Sequence, residues 1–136
     1  MHASHHEFED HTSEVQVHLR APDLPALFRE AGVALAELMA PGTHGGEGDW
    51  TEVKLASRDP AALLVDWFDE LIYLVDTTGL VLADVEIERA DETSLHARVR
   101  GVMPAEFRTA VKAATFHGLR VEPVDDGWEA HVVLDV

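Results

Sequence analysis

The sequence predicts an α+β fold, with one domain containing a mainly antiparallel β-sheet and two α-helices packed on one face. Two segments carry apolar residues at helical spacing, and several shorter segments alternate apolar and polar residues as strands do. The order is strand, helix, strand, helix and then several strands, which is typical of an antiparallel sheet with its helices on one side. The length of 136 residues suits a single domain, which we assign to residues 1–136.

Each predicted helix begins after an aspartate and carries proline in its first turn. Asp23 precedes the first helix, and Asp59 precedes the second, with Pro60 at its first position. An aspartate side chain accepts hydrogen bonds from the free amides of the first turn, and proline is tolerated there because it lacks an amide hydrogen. The first helix is predicted to end near residues 41–42 and the second at residues 77–79.

Alternation of apolar and polar residues identifies the strands. The predicted strands cover residues 15–19, 50–56, 80–88, 93–99, 116–124 and 128–134. The last two are expected to form a hairpin about residues 125–127. Residues 104–114 fit either a short helix or an irregular connection. No strand is predicted before Val15, and the polar, histidine-rich residues 1–8 are predicted to be flexible.

The net charge of the chain limits the classes of molecule that it can bind. There are 26 acidic residues and 10 Lys or Arg residues, which gives a formal net charge of −16. Phosphate backbones repel such a protein, so direct high-affinity binding of nucleic acid is not expected, whereas cations or a basic protein partner would be attracted. An alternative is that the charge keeps a salt-adapted protein soluble and has no relation to a binding partner. Because no apolar stretch reaches the roughly 20 residues of a membrane helix and no signal peptide is visible, we expect a cytoplasmic protein without membrane contact.

No enzyme class is indicated by the sequence. The chain has no cysteine and no Gly-x-Ser-x-Gly motif, which argues against the common nucleophilic enzymes. The many carboxylates favour no particular acid–base pair. A small metal-dependent hydrolase is a weak alternative, since no His-Glu-x-x-His motif is present.

The residues alone leave metal binding open. His2, His5 and His6 can chelate a transition metal weakly, but a mobile terminus must first be ordered, so we favour a role without metal. Carboxylates suit hard cations such as calcium, magnesium or manganese. The candidates are Asp10, Glu14, Asp125, Asp126 and Asp135. From composition alone, a solvated acidic surface is the better interpretation of each.

Three segments, taken together and in order, resemble the archease family over nearly the whole chain. The first is His-Thr-Ser-Glu-Val at residues 11–15, and the second spans residues 63–74 with 78–81 behind it. The third spans residues 111–119 and closes with residues 127–128 and 132–136. The resemblance implies an accessory protein of an RtcB-type RNA ligase, which joins tRNA exon halves or broken RNA ends using GTP and a metal. It implies promotion of guanylylation and of multiple turnover, and no catalysis by the chain itself.

The resemblance also implies a metal site. Its ligands would be Glu14, Asp135 and Val136, the last through a main-chain or terminal carboxylate oxygen. The ion would be calcium, magnesium or manganese. The family usually carries His-Thr-Ala-Asp, and Glu14 here adds one methylene to the aspartate. Asp10, just upstream, is our hypothesis for a compensating ligand.

Two histidines match family positions as well. His11 and His117 are predicted to contact the partner or the carboxylates that hold the metal, with a histidine that fixes a turn as the alternative for His117. On the second helix, Asp66, Asp69 and Glu70 are expected to be solvated, or else to face a basic groove of the ligase. The alternative function is an acidic chaperone-like or scaffold protein without a metal-dependent role.

Overall fold

Seven strands and two helices form within the part of the chain that the structure describes. The structure is a computed structural model that describes residues 4–10, 13–43, 45–46 and 48–136. The elements, in chain order, are β1 (His5–Asp10), β2 (Glu14–Ala21), α1 (Leu24–Met39), β3 (Thr51–Ala56), α2 (Pro60–Thr78), β4 (Val81–Ala90), β5 (Ser94–Val102), β6 (Ala113–Val124) and β7 (Gly127–Asp135). One sheet has the strand order β1-β2-β7-β6 and the other has the order β3-β5-β4. Every strand pairing is antiparallel.

Both helices begin where the sequence predicts. The Asp23 carboxylate accepts a hydrogen bond from the amide of Ala26 at 2.8 Å, and that of Asp59 accepts one from Ala62 at 2.8 Å. These bonds satisfy amides that have no partner within the first helical turn. At its other end, α2 stops at Gly79, whose left-handed backbone closes the last turn.

The core lies where the two helices pack against both sheets. α1 contacts β2 of the four-stranded sheet and β4 of the three-stranded sheet, and α2 contacts β6 and β3 in the same way. Strand β2 alternates half-buried and buried residues along its length, so one face of its sheet packs against the helices and the other faces outward. The buried indole nitrogen of Trp67 donates a hydrogen bond to the Phe28 carbonyl at 2.9 Å and joins the two helices.

The predicted fold class is confirmed. The two helices, the antiparallel strands, the β4–β5 pair and the β6–β7 hairpin all form as expected. The strands divide into two sheets, each with helices on one face only. Residues 103–112 form an irregular connection, which settles the two alternatives left by the sequence. Strand β1 was not predicted, and it forms because its backbone pairs with β2 from His5 to Asp10.

Candidate metal site

Glu14 and Asp135 lie directly opposite each other at one end of the two central strands of the four-stranded sheet. Glu14 is the first residue of β2, Asp135 is the last of β7, and the two pair in register. Residues directly opposite on antiparallel strands have Cβ atoms about 4.5–5.5 Å apart on the same face. Glu14 is half-buried and Asp135 is exposed. The fold therefore places side by side two carboxylates that the sequence separates by almost its whole length.

The backbone around this pair is held on both sides. The Val136 amide donates a hydrogen bond to the Ser13 carbonyl at 3.1 Å, and the Lys112 amide donates one to the Asp135 carbonyl at 2.8 Å. Val136 also packs partly against the core. These contacts fix the position of the Val136 main chain beside Glu14 and Asp135. All three predicted metal ligands are thus neighbours.

Two opposed carboxylates suit a hard cation. Like charges directly opposite on a sheet are destabilising, and a divalent ion between them would remove the repulsion. Over the described residues, no three His, Cys, Asp or Glu side chains come together as a metal-binding group. Glu14 and Asp135 would therefore supply two ligands, and main-chain oxygens or water would complete the coordination that calcium, magnesium or manganese requires.

The remaining predicted residues lie around the pair. Asp10 pairs with Val15, the neighbour of Glu14, through its backbone, and its side chain lies outside the described part of the chain. His11 lies outside the described residues. His117 is exposed on β6, four residues beyond Ala113, which is directly opposite Asp135. Its backbone amide donates a hydrogen bond to the Thr115 hydroxyl at 3.3 Å. This bond is made by the backbone and not by the imidazole, so the predicted roles of His117, contact with a partner or the metal-holding carboxylates or the fixing of a turn, stay predictions.

The sequence did not predict that Asp69 would be tied to β6. One Asp69 carboxylate oxygen accepts a hydrogen bond from the Ala114 amide at 3.0 Å, so this acidic residue of α2 anchors the start of β6 next to the pair. Asp66 likewise accepts a hydrogen bond from the Ser57 hydroxyl. Both side chains are exposed, as expected, but each also has a structural partner. No sequence signal reveals the Asp69 bond, because its partner lies 45 residues away along the chain.

Comparison with known proteins identifies the family. The sequence model of the Archease protein family (MTH1598/TM1083) matches residues 6–136. The chain belongs to the archease family. It is 32% identical to protein archease of Archaeoglobus fulgidus, over 95% of this chain and 97% of the relative. It is 31% identical to protein archease of Methanosarcina acetivorans, over 96% of this chain and 95% of the relative.

Solved structures agree with the assignment to the archease family. The solution structure of protein 1598 of Methanobacterium thermoautotrophicum is 30% identical and covers 96% of this chain and 98% of its own, with a TM-score of 0.78. The crystal structure of a Thermotoga maritima protein described as an archease and possible chaperone is 17% identical and has a TM-score of 0.63. That match covers 97% of this chain and 100% of the other, and at this identity it shows a shared fold.

Among the described residues, no helix combines the length and the apolar content needed to cross a bilayer.

Proposed function

We propose that this protein is an accessory factor of an RtcB-type RNA ligase, and that it promotes guanylylation and multiple turnover of the ligase in tRNA splicing or RNA repair. Membership of the archease family supports the proposal. The observation that carries it is the opposition of Glu14 and Asp135, where the resemblance puts the metal ligands. The chain is an activator and not an enzyme in this proposal, and it acts in the cytoplasm.

The proposed metal site binds one divalent cation through Glu14, Asp135 and a main-chain oxygen of Val136. Calcium, magnesium and manganese all accept such oxygen ligands. The longer Glu14 side chain reaches the ion by a change of rotamer. Because the carboxylate pair lies at the ends of β2 and β7 and Asp135 is exposed, a bound ion would be accessible to a protein partner.

The partner in this proposal is the ligase and not its RNA. A formal net charge of −16 opposes contact with a phosphate backbone, whereas a basic groove of a protein would attract the chain.

The test is RNA ligation with substoichiometric ligase. Wild type, Glu14→Ala and Asp135→Ala are compared in parallel, with the fold of each variant checked by circular dichroism. We expect wild type to raise the number of turnovers and both variants to lose this effect. Equal stimulation by all three proteins would disprove the metal site and would still support the ligase as the partner. No stimulation by wild type would disprove the accessory function.

The second candidate is an acidic chaperone-like or scaffold protein, which the high negative charge favours. The Thermotoga maritima relative of the same fold is described as a possible chaperone. This function predicts that reversal of charges on the helices matters while Glu14→Ala and Asp135→Ala have no effect. The same ligation assay, with aggregation of an unfolded client protein as a second readout, separates the two candidates.

A further inference from the structure

A short piece of β6 holds the β7 strand where Asp135 lies. Residues 113–115 of β6 pair in register with residues 133–135 of β7, and we call this paired segment the terminal ladder. It follows directly on the irregular connection 103–112, and the register of β6 with β7 shifts after Thr115. The terminal ladder is therefore separated from the regular part of the hairpin. So short a pair of strands opens easily unless another contact holds it.

That other contact comes from α2. The strand order β1-β2-β7-β6 leaves β6 with a neighbouring strand on one side only. Alternate amides of such an outer strand point away from the sheet and need another acceptor. The Ala114 amide, in the middle of the terminal ladder, donates a hydrogen bond to an Asp69 carboxylate oxygen at 3.0 Å. Asp69 thus takes the place of the missing strand.

Apolar packing also holds this segment, but it is less specific. Val111 and Ala114 are both buried and belong to the hydrophobic core. Because apolar burial is non-directional, it keeps the segment against the core without fixing the position of its backbone. A hydrogen bond weakens steeply when its distance or angle changes. Asp69 therefore supplies a directional contact that the packing does not.

The terminal ladder in turn fixes the position of Asp135. Ala113 is directly opposite Asp135, and the Asp135 carbonyl accepts a hydrogen bond from the Lys112 amide at 2.8 Å. On its other side, Asp135 pairs with Glu14. The oxygen ligands of calcium, magnesium and manganese must lie within about 2.0–2.6 Å of the ion. A small displacement of Asp135 relative to Glu14 therefore changes the affinity for a cation.

We propose that Asp69 is a positioning residue of the metal site, which raises the affinity for the divalent cation by holding the terminal ladder and, through it, Asp135. The inference rests on the proposed function, because it requires the cation site of Glu14 and Asp135. Asp69 does not bind the cation itself. Its carboxylate acts on the Ala114 amide, and the effect reaches Asp135 through the pairing of β6 with β7.

The experiment measures the dissociation constants of calcium, magnesium and manganese by isothermal titration calorimetry. Asp69→Ala removes the acceptor and is expected to weaken binding of the cation that wild type binds most tightly. The expected factor is about tenfold, the lower end of the range for groups that orient metal ligands. Asp69→Asn keeps an oxygen acceptor for the Ala114 amide and loses only the charge. It is expected to bind the cation nearly as tightly as wild type.

The matched control is Asp66→Ala. Asp66 lies one helical turn before Asp69, is exposed, and accepts its hydrogen bond from the Ser57 hydroxyl and not from the terminal ladder. Its loss removes the same charge and is expected to leave the dissociation constant unchanged. Equal weakening by Asp66→Ala and Asp69→Ala, or by Asp69→Asn and Asp69→Ala, would show that the charge of α2 attracts the cation. Either result would overturn the positioning role.

Hydrogen exchange of the wild-type protein tests the same coupling without a substitution. Coupling between two sites is reciprocal, so a bound cation must also strengthen the bond between Asp69 and Ala114. Saturation with the cation is therefore expected to slow exchange of the Ala114 amide. The control is the Ala62 amide, which donates to the Asp59 carboxylate at the start of α2 at 2.8 Å. Equal slowing of both amides would reflect a general gain in stability and would contradict the positioning role.

The outcomes separate the positioning role from the metal site on which it rests. If wild type binds none of the three cations, the metal site fails and the inference fails with it. If wild type binds a cation and Glu14→Ala does not, the metal site stands, and unchanged affinity of Asp69→Ala then overturns the positioning role alone. Circular dichroism checks that each variant is folded. If Asp69→Ala does not fold, the exchange rates of the Ala114 and Ala62 amides in wild type decide.

Discussion

His6 Nδ1 lies 2.6 Å from the Glu30 carboxylate and so fastens the edge strand β1 to α1. The other ring nitrogen, Nε2, lies 2.8 Å from the Glu37 carboxylate. Glu30 is only 9% exposed and is the one charged residue counted in the core of the described chain. A histidine near the start of the chain thus provides the partner that a buried carboxylate requires.

We therefore expect His6→Ala to destabilise the protein by about 1–3 kcal/mol, because it leaves Glu30 buried without its partner. Urea unfolding followed by circular dichroism measures this. Glu37→Ala is the control, since Glu37 is about half exposed and its ion pair is worth less than about 1 kcal/mol. Equal losses for the two variants would contradict the assigned role of Glu30.

Trp67→Phe should cost about 1–3 kcal/mol, because the buried bond to the Phe28 carbonyl is lost and the smaller ring leaves a cavity. The comparison is Trp50→Phe. Trp50 is half-buried beside Arg98 and Arg100, whose guanidinium carbons lie 4.6 and 4.5 Å from the ring centre. Phenylalanine keeps a ring there, so a loss below about 1 kcal/mol is expected. A larger effect at Trp50 in denaturant titrations would reverse this order.

Gly127→Ala is expected to be severely destabilising, by more than about 2 kcal/mol. The φ angle of Gly127 is +154°, and an added Cβ would contact the Ala21 carbonyl oxygen and come within 2.8 Å of Pro22 Cα. These are backbone atoms that cannot rotate away. Gly79→Ala has open space and only the strain of a left-handed backbone, so about 1 kcal/mol is expected. Thermal melts of the two variants test the difference.

The turn between β4 and β5 provides a pH-dependent test. Hydrogen bonds from the Thr93 amide, and then from the side chain and amide of Ser94, hold the pKa of Asp91 below its ordinary 3.8. Since the pKa is lower in the folded state, these bonds add stability above pH 3.8, and this contribution disappears as the pH falls through the folded-state pKa. The stability difference between wild type and Asp91→Ala should therefore shrink between about pH 6 and about pH 2.

The control for this titration is Glu92→Ala at the same turn, measured over the same pH range. A wild-type minus Asp91→Ala difference that stays constant over the same range would show that the hydrogen bonds do not depend on the charge of Asp91.

The proposed metal site predicts opposite effects of one substitution in the presence and absence of cation. Without metal, Glu14→Gln removes the repulsion with Asp135 and should stabilise the protein by about 0.2–1 kcal/mol. With calcium, magnesium or manganese, wild type should gain stability with increasing ion concentration while Glu14→Gln gains little. Melting curves with and without each ion measure this. A lower metal-free melting temperature for Glu14→Gln would show that the two carboxylates do not repel each other.

Local chemistry explains which features the sequence predicts. The caps at Asp23 and Asp59 involve partners three residues away, and the turn residues of the β6–β7 hairpin lie between its strands, so each is visible in a short window. β1 is different. Its polar, histidine-rich sequence resembles a flexible terminus, and pairing with β2 and the contact of His6 with Glu30 stabilise it as a strand.

In the candidate site too, the features that depend on contacts between distant segments could not be predicted from the sequence. The family resemblance named Glu14 and Asp135, but neither strand contains information on the register that sets them opposite each other. The bond between Asp69 and Ala114 and the irregularity after Thr115 also depend on contacts between distant segments. The sequence predicted exposed acidic residues on α2, and the structure adds the bonds that tie Asp66 to Ser57 and Asp69 to Ala114.

The pairing of β2 with β7 also sets the time at which the site forms. β2 is made early on the ribosome, and β7 follows every other element of the fold. Glu14 is therefore synthesised long before Asp135, and the carboxylate pair can form only when synthesis of the domain is nearly finished. A nascent or C-terminally clipped chain cannot assemble the pair, so the proposed cation would bind only the completed fold and would mark it as ready for its partner.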